Sequence, residues 1–352
     1  MWKNGIPDKN MNGKIVFILP SLCVGGAEMN TVKLSNEMVR NGKEVYIITI
    51  LNINNYEPEL NRKIQVISLN CKRFISALQK LNKTLGKLNP EAIFTNMWPI
   101  SLITILSLLT RPKLISRTII IEHINITLGL KNSSIFERIA ERIFHSFIGF
   151  FVKAVIGVSP GVVNSLLRSN NWAANKFKFI PNPIFQKDSL KINRTKNFKR
   201  IPSTLNILAV GNFKPQKDYL TMFRVISRLK EDGVNVKLKI AGGGNSILKY
   251  KEMAKTMRLS DNIDFLGIIK DLNTLYKEAD IYLMTSSWEG FGNTLAEALS
   301  NGCRCVATNC ESGPGYILGN GKYGSLGRVG DPDSICSAIY KELKTEREIG
   351  IF

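Results

Sequence analysis

The chain has 352 residues, enough for two domains of ordinary size, and 44% of them are hydrophobic, which supplies full cores and excludes a disordered chain. Its formal charge of +20 is lopsided: residues 1–200 carry 29 Lys/Arg against 11 Asp/Glu, and residues 201–352 carry 19 against 17. A basic first half implies an anionic partner, whether nucleic acid, acidic membrane or phosphorylated substrate, and charge alone does not choose among them.

The six cysteines form no C-x-x-C pair and only two histidines, His123 and His145, are present, so free thiols in a reducing cytosol are expected. Residues 1–13 are polar and the apolar run 15–19 is strand-length, so no secretory leader is expected. The longest apolar candidates, 143–152 and 98–110, fall short of the ~20 residues a spanning helix needs.

In chain order, residues 14–19 read as a strand, and Gly25-Gly26-Ala27-Glu28 opens a helix running to Arg40, followed by a strand over 44–50. A glycine pair at the first turn of such a unit suits close approach of a phosphate or sugar to backbone, and equally fits a tight strand-to-helix turn. The pattern is not G-x-G-x-x-G, so no nicotinamide cofactor is indicated. A strand over 64–69 precedes a helix over 71–88, with Phe74, Leu78, Leu81, Leu85 and Leu88 on one side and Lys72, Arg73, Lys80, Lys83 and Lys87 flanking them. That helix reads either as a basic amphipathic element for an anionic membrane or as a crossover helix with a solvated basic face. Strands are expected over 92–95 and 114–121, joined by an apolar crossover over 98–109.

His123 ends the 114–121 strand region at its carboxyl edge, where ligands bind in open α/β sheets, and is a candidate site residue; the alternative is a hydrogen-bonded strand-end histidine. His145 sits inside an apolar helix over 136–150 and reads as core or surface. Residues 131–200 hold 13 Lys/Arg and three acids, around a face containing Phe144, Phe147, Phe150 and Phe151. Residues 188–203 are polar and basic without apolar period, and read as a linker.

The second half restarts at residues 205–210. Gly211, Gly242 to Gly244, Gly267, and Gly290 with Gly292 follow four successive strands at their carboxyl ends, the edge that forms a ligand crevice in an open parallel sheet. The organising stretch is 281–305. An apolar strand runs into the turn Ser286-Ser287-Trp288-Glu289-Gly290-Phe291-Gly292, then a helix capped by Asn293 or Thr294, with Leu295, Ala298 and Leu299 inward and Asn301-Gly302 as its stop. Such a strand, glycine turn and helix start present backbone N–H groups and a positive helix end to an anion. Glu289 and Glu297 can both face one cleft; a solvated pair is the plainer reading.

The segment from Glu289 to Glu297 resembles the E-x7-E signature of retaining glycosyltransferases of family 4, which have the GT-B fold. Gly25-Gly26-Ala27-Glu28 resembles that family's GGAE-type loop, Val155 to Ser159 its "VGVS" element, and Ile180-Pro181-Asn182-Pro183 its "IPNP" segment. The resemblance implies an α/β protein of two Rossmann-like doubly wound domains facing a cleft: an acceptor domain over 1–187, a linker over 188–203, and a nucleotide-sugar domain over 204–352. It implies Glu289 and His123 at the transferred sugar, Glu297 on the ribose, and Lys217 on the diphosphate. The donor surface is completed by Phe291, Gly292, Asn293, Thr294, Asn212, Gly243 and Gly267, with Gly25 and Gly26 as the acceptor or phosphate loop. Three positions depart from the pattern: Met29 and Asn212 stand where relatives often carry arginine, and Tyr316 where they often carry an acid. Lys214 is a candidate substitute cation for the missing arginine at 212.

No histidine cluster is present and the resemblance implies no metal, so neither metal nor other cofactor is expected. The implied activity is retaining transfer of a hexose or N-acetylhexosamine from a nucleoside diphosphate sugar, UDP being the expected nucleotide. The implied acceptor is a saccharide, polyprenyl-diphosphate-linked, in cell-surface polysaccharide biosynthesis, such as lipopolysaccharide or capsule. The protein is then expected to be cytoplasmic and peripheral on the inner face of a bacterial membrane, docked on its anionic surface. Other classes remain: a sugar-nucleotide epimerase or phosphorylase of the same fold, a non-catalytic partner subunit, or a nucleic-acid binder. The last lacks any zinc-finger, RNP or helix-turn-helix signature, so no nucleic-acid partner is expected.

Overall fold

A computed structural model of the chain describes residues 2–3, 6–7, 13–23, 25–51, 59–73, 76–124, 134–168, 171–184 and 202–346. It divides into two compact units, Met1–Pro183 and Ile184–Phe352. The expected linker lies outside the described residues except for Pro202 and Ser203.

The first unit is built on a seven-stranded parallel sheet of β1 (Lys14–Leu19), β2 (Glu44–Thr49), β3 (Gln65–Ser68), β4 (Ala92–Asn96), β5 (Thr118–Glu122), β6 (Ala154–Gly157) and β7 (Phe177–Phe179). Its order is β3-β2-β1-β4-β5-β6-β7, so the winding reverses between β1 and β4. These strands are near-continuous apolar runs because helices cover both faces of a parallel sheet. Phe17 of β1 stacks on Phe94 of β4 with ring centroids 4.9 Å apart. The helix Gly26–Arg40 returns the chain from β1 to β2, with Ala27, Val32 and Val39 buried, and stops at Asn41 before Gly42.

Two expectations change here. Residues 114–121 are not one strand: Pro112, whose ring fixes φ, starts a helical turn Pro112–Ile115, and β5 begins only at Thr118. The helix expected over 71–88 spans Ala77–Leu88, and Phe74 lies outside the described residues. Leu81 and Leu85 are fully buried while Lys72, Arg73, Lys80, Lys83 and Lys87 are exposed. Its apolar side is therefore spent on the core, as in a crossover helix.

The second unit repeats the plan with six parallel strands: β8 (Leu205–Val210), β9 (Val236–Ala241), β10 (Ile263–Gly267), β11 (Ile281–Met284), β12 (Arg304–Thr308) and β13 (Ser325–Gly327), in the order β10-β9-β8-β11-β12-β13. The switch point falls between β8 and β11, where Ile207 pairs with Ile281 and Leu208 with Tyr282. Its core gathers Leu205, Ile207, Phe213, Tyr219, Phe223, Leu238 and Ile339. Each such side chain contributes about 1.5–3 kcal/mol on full burial. The helix Pro332–Lys344 is locked beneath the sheet by a buried pair, Arg304 with Glu342 at 3.7 Å, and Ser325 Oγ donates to Glu342 Oε2 at 2.8 Å.

Candidate active site

The crevice at a switch point opens where neighbouring strands send their connections to opposite faces of the sheet. In the second unit it is walled by the loops after β8 and β11. The first runs Gly211-Asn212-Phe213 into a 3-10 turn, Pro215–Lys217, and then Asp218, whose positive φ of 46° turns the chain into the helix Tyr219–Glu231. The second carries Thr285 through Gly292. Thr285 Oγ1 donates to the carbonyls of Lys217 (3.0 Å) and Asp218 (3.1 Å), Ser287 N donates to Gln216 O (2.8 Å), and Gln216 Nε2 donates to Trp288 O (2.8 Å). Thr308 Oγ1 of β12 donates to Ser286 O at 2.6 Å from behind.

This lattice delivers Lys217 to Glu289. The ammonium Nζ lies 2.7 Å from Glu289 Oε1, and Ser286 Oγ donates to the same oxygen at 2.7 Å. The two side chains are 20% and 8% exposed, so their charges meet where water screens them weakly. Lys214, three residues earlier, is exposed, and Lys217 is the cation at the carboxylate.

The helix Asn293–Ser300 is capped one residue before Asn293 and two before Thr294, the two expected caps. Its N-cap is Gly292 at φ 103°, a left-handed conformation that glycine adopts without steric cost, and Gly292 O accepts from Leu295 N (3.0 Å) and Ala296 N (3.1 Å). Asn293 and Thr294 are first-turn residues. Leu295, Ala298 and Leu299 are buried as their spacing predicts. The Thr294 hydroxyl accepts from Tyr282 Oη at 2.7 Å and donates to Val210 O at 3.4 Å, pinning the helix start to the end of β8. Glu297 is half-buried, and its Oε2 accepts from Tyr276 Oη at 3.3 Å; the same phenol lies 3.4 Å from Thr294 O. Burial raises the pKa of both tyrosines, which keeps them protonated as donors.

Asn212, Gly243 and Gly267 belong to one floor made by the loops after β8, β9 and β10. Gly211 N donates to Ala241 O (2.9 Å), Phe213 N to Gly243 O (2.8 Å) and Gly242 N to Gly267 O (2.7 Å). The loops approach so closely that a Cβ on Gly242 would lie 1.9 Å from Gly211 O. Phe291 is buried, its ring 6.5 Å from that of Tyr316.

In the first unit the carboxyl ends of β1, β4 and β5 converge in the same way. His123 Nε2 lies 2.9 Å from Asn96 Oδ1, and Asn96 Nδ2 donates to Thr31 Oγ1 at 3.4 Å. With Asn96 oriented thus, His123 donates from Nε2, and burial lowers its pKa to about 4, so it is neutral at pH 7. Thr31 lies on the helix that Gly25 caps in an extended conformation and Gly26 begins. His123, Gly25 and Gly26 thus share one switch point, while Glu289, Glu297, Lys217, Phe291, Gly292, Asn293, Thr294, Asn212, Gly243 and Gly267 share the other.

Three residues that carry the second site, Ser286, Tyr276 and Tyr282, went unmarked by motif. Ser286 stands three before Glu289 in the same turn, a spacing that could have singled it out. Tyr276 and Tyr282 read only as helix and strand. Ser312 adopts φ 95°, and its hydroxyl is buried with no hydrogen-bond partner among the described residues. Among the described residues no group of three or more His, Cys, Asp or Glu could hold a metal ion.

Residues 24–185 match the family model "Glycosyltransferase Family 4" and residues 192–348 match "Glycosyl transferases group 1". An uncharacterized glycosyltransferase of Haemophilus influenzae is 22% identical over 320 residues, covering 88% of this chain and 84% of the relative. The N-acetylgalactosamine-N,N'-diacetylbacillosaminyl-diphospho-undecaprenol 4-alpha-N-acetylgalactosaminyltransferase of Campylobacter jejuni is 29% identical over 143 residues, or 40% of this chain. The chain spans 38% of that relative's length, and 36% and 50% of two others, from Methanocaldococcus jannaschii and Bacillus anthracis. Among solved structures, Anabaena HepE in complex with UDP and glucose superposes with a TM-score of 0.73 at 18% identity, covering 95% of this chain and 92% of that one.

Proposed function

The chain belongs to the glycosyltransferases, its first unit of family 4 and its second of group 1, and we propose that it transfers a hexose or N-acetylhexosamine from a UDP-sugar to a saccharide with retention of configuration. The observation that carries this reading is the Lys217–Glu289 pair at the β8/β11 switch point, beside the start of the Asn293–Ser300 helix.

In a retaining transfer the acceptor hydroxyl reaches the anomeric carbon on the face the diphosphate leaves. The bond from that carbon to the phosphate oxygen breaks, the bond to the acceptor oxygen forms, and the hydroxyl proton passes to the departing phosphate. Charge builds on the phosphate, so fixed positive groups there lower the barrier. Lys217 and the first-turn N–H groups of the helix supply them. Drawing Lys217 toward phosphate leaves Glu289 in need of donors, and the hydroxyls of the transferred sugar supply those. Glu297, held by Tyr276, takes the ribose hydroxyls. His123, neutral and bonded through Nε2, offers Nδ1 as an acceptor to a sugar hydroxyl. The reaction as written needs no metal.

The acceptor is read as polyprenyl-diphosphate-linked and destined for a cell-surface polysaccharide, in keeping with the printed activity of the Campylobacter relative. The UDP assignment follows the ligand of the Anabaena neighbour. A lipid-linked acceptor places the protein at the cytoplasmic, anionic face of a membrane, which the basic first half favours. No helix among the described residues is long and apolar enough to cross one. Saturation-transfer NMR with a panel of nucleotide sugars, followed by donor-hydrolysis assays, tests the reading. Contact to UDP-sugars and hydrolysis that disappears in Glu289→Ala support it; a chain that contacts no nucleotide sugar contradicts it.

A further inference from the structure

The helix Ile135–Phe151 is built the wrong way round for a soluble domain. Its start is firm: Ser134 and Glu137 form a reciprocal capping box, with Ser134 N donating to Glu137 Oε2 at 2.9 Å and Glu137 N to Ser134 Oγ at 3.3 Å. The side turned into the unit carries Glu141, His145, Ile148 and Gly149. His145 Nε2 lies 3.3 Å from Glu122 Oε1 at the end of β5, and its Nδ1 lies 2.8 Å from Glu141 O. The side turned out carries Phe136, Ile139, Ile143, Phe147 and Phe150, exposed by 80%, 52%, 56%, 55% and 59%. At 100° per residue these five fall within about 80° of arc. An ordinary surface helix hides such a stripe and shows its charges.

We propose that this outer face is a membrane-insertion surface that lies in the plane of an anionic leaflet and beds its phenylalanines at the headgroup–acyl boundary. The inference rests on the membrane part of the function proposed above and names the element responsible. The face is a convex ridge of Phe and Ile, the form an in-plane interfacial helix takes. Arg142, exposed, lies about 60° beyond one edge of that arc, where a guanidinium group meets lipid phosphates. The ridge also belongs to the half of the chain that carries the excess charge, so electrostatic attraction and apolar insertion act on one surface. The anchored side, through His145 and Glu122, ties the ridge to β5, the strand that His123 follows.

The test is co-sedimentation of the full chain with phosphatidylcholine vesicles, with and without phosphatidylglycerol. The variants are Phe147→Ser/Phe150→Ser and, as a charge control, Lys80→Glu/Lys83→Glu/Lys87→Glu, each checked by its thermal midpoint and each run alone on a sizing column. The double serine variant should fold as the wild type and lose at least about tenfold in partitioning to the anionic vesicles, because both aromatic rings then leave the acyl boundary. Wild-type vesicle binding retained by the serine variant but lost in the charge variant overturns the helix assignment and leaves electrostatic docking standing. Absence of vesicle binding by the wild type removes both. A wild-type dimer that the serine substitutions dissociate, with vesicle binding unchanged, makes the ridge a self-association face and also overturns the proposal.

Discussion

Lys217 Nζ and Glu289 Oε1 lie 2.7 Å apart, although the two residues come from loops that follow different strands of the second unit. The pair is the electrostatic centre of the site, and its removal is the first prediction. Lys217→Ala leaves a carboxylate that is 8% exposed with Ser286 as its remaining donor in that contact. Losing a charge-assisted hydrogen bond costs roughly 1.5–3 kcal/mol, or about tenfold to a hundredfold in affinity or turnover. Lys214→Ala, on an exposed side chain, should stay near wild type. Donor hydrolysis rates for the two variants check this. A Lys214→Ala defect larger than that of Lys217→Ala would mean that the diphosphate is held elsewhere.

The two glutamates should separate kinetically. On the proposed roles, Glu297→Ala should raise KM for the donor, because a ribose contact would form before chemistry, whereas Glu289→Ala should mainly lower kcat. Tyr276→Phe should follow Glu297→Ala in direction with a smaller KM increase, because it removes only the 3.3 Å hydrogen bond that orients the carboxylate. Steady-state kinetics with donor varied distinguishes the cases. Unchanged KM in Tyr276→Phe would reduce the tyrosine to core packing.

Stability of the first unit should fall as pH rises from 6.5 to 8. Burial opposes charge on His145, but the hydrogen bond and charge of Glu122 outweigh it and raise its pKa above 6.5. Both ring nitrogens face oxygen atoms, so the doubly protonated ring satisfies both contacts. A group whose folded pKa is raised stabilises fully below its unfolded pKa and loses that contribution as pH climbs through the folded one. Glu141, which burial pushes up to about 7, acts in the same direction: protonated in the fold, it loses stability between about 4.5 and about 7. His123, lowered to about 4 in the fold, acts the other way, because its unfolded imidazole still releases its proton just above 6.5, so the comparison with His145→Gln is what isolates His145. Thermal midpoints at pH 6.5 and 8 should differ for the wild type and differ less for His145→Gln; equal slopes would refute the assignment.

Gly242→Ala should damage the donor floor without touching a charged group. Its Cβ would meet Gly211 O at 1.9 Å, so the loops after β8 and β9 must part. Lower thermal stability together with weaker donor binding is expected. Full activity in this variant would show that the floor tolerates displacement.

Much of this arrangement is legible in the amino-acid order, and the remainder is not, for physical reasons. The apolar runs and the glycines after them mark strands and crevice, and the period of Leu295, Ala298 and Leu299 gives the buried side of the helix correctly. Glu289 and Lys217 were reachable by motif, but their contact was not, since 72 residues separate them and only the strand order brings their loops together. The helix cap was misplaced because Asn293 and Thr294 are better capping types than Gly292, while the turn required a positive φ that only the fold reveals. Pro112 shortens the expected strand by a steric rule that the apolar pattern of its neighbours masked. Periodicity grouped Phe144, Phe147, Phe150 and Phe151 on one face, but the structure exposes the last three and packs Phe144 against Trp98 with ring centroids 5.5 Å apart, since period alone does not say which part of a face points in or out.

The most direct measurement is calorimetric titration of UDP into the full-length wild type, Lys217→Ala and Glu297→Ala. Saturable binding by the wild type, weakened about tenfold or more in each variant with the fold intact, is the expected result. Absence of UDP binding by the wild type, or equal affinity in all three proteins, would contradict a nucleotide-sugar site at the β8/β11 switch point.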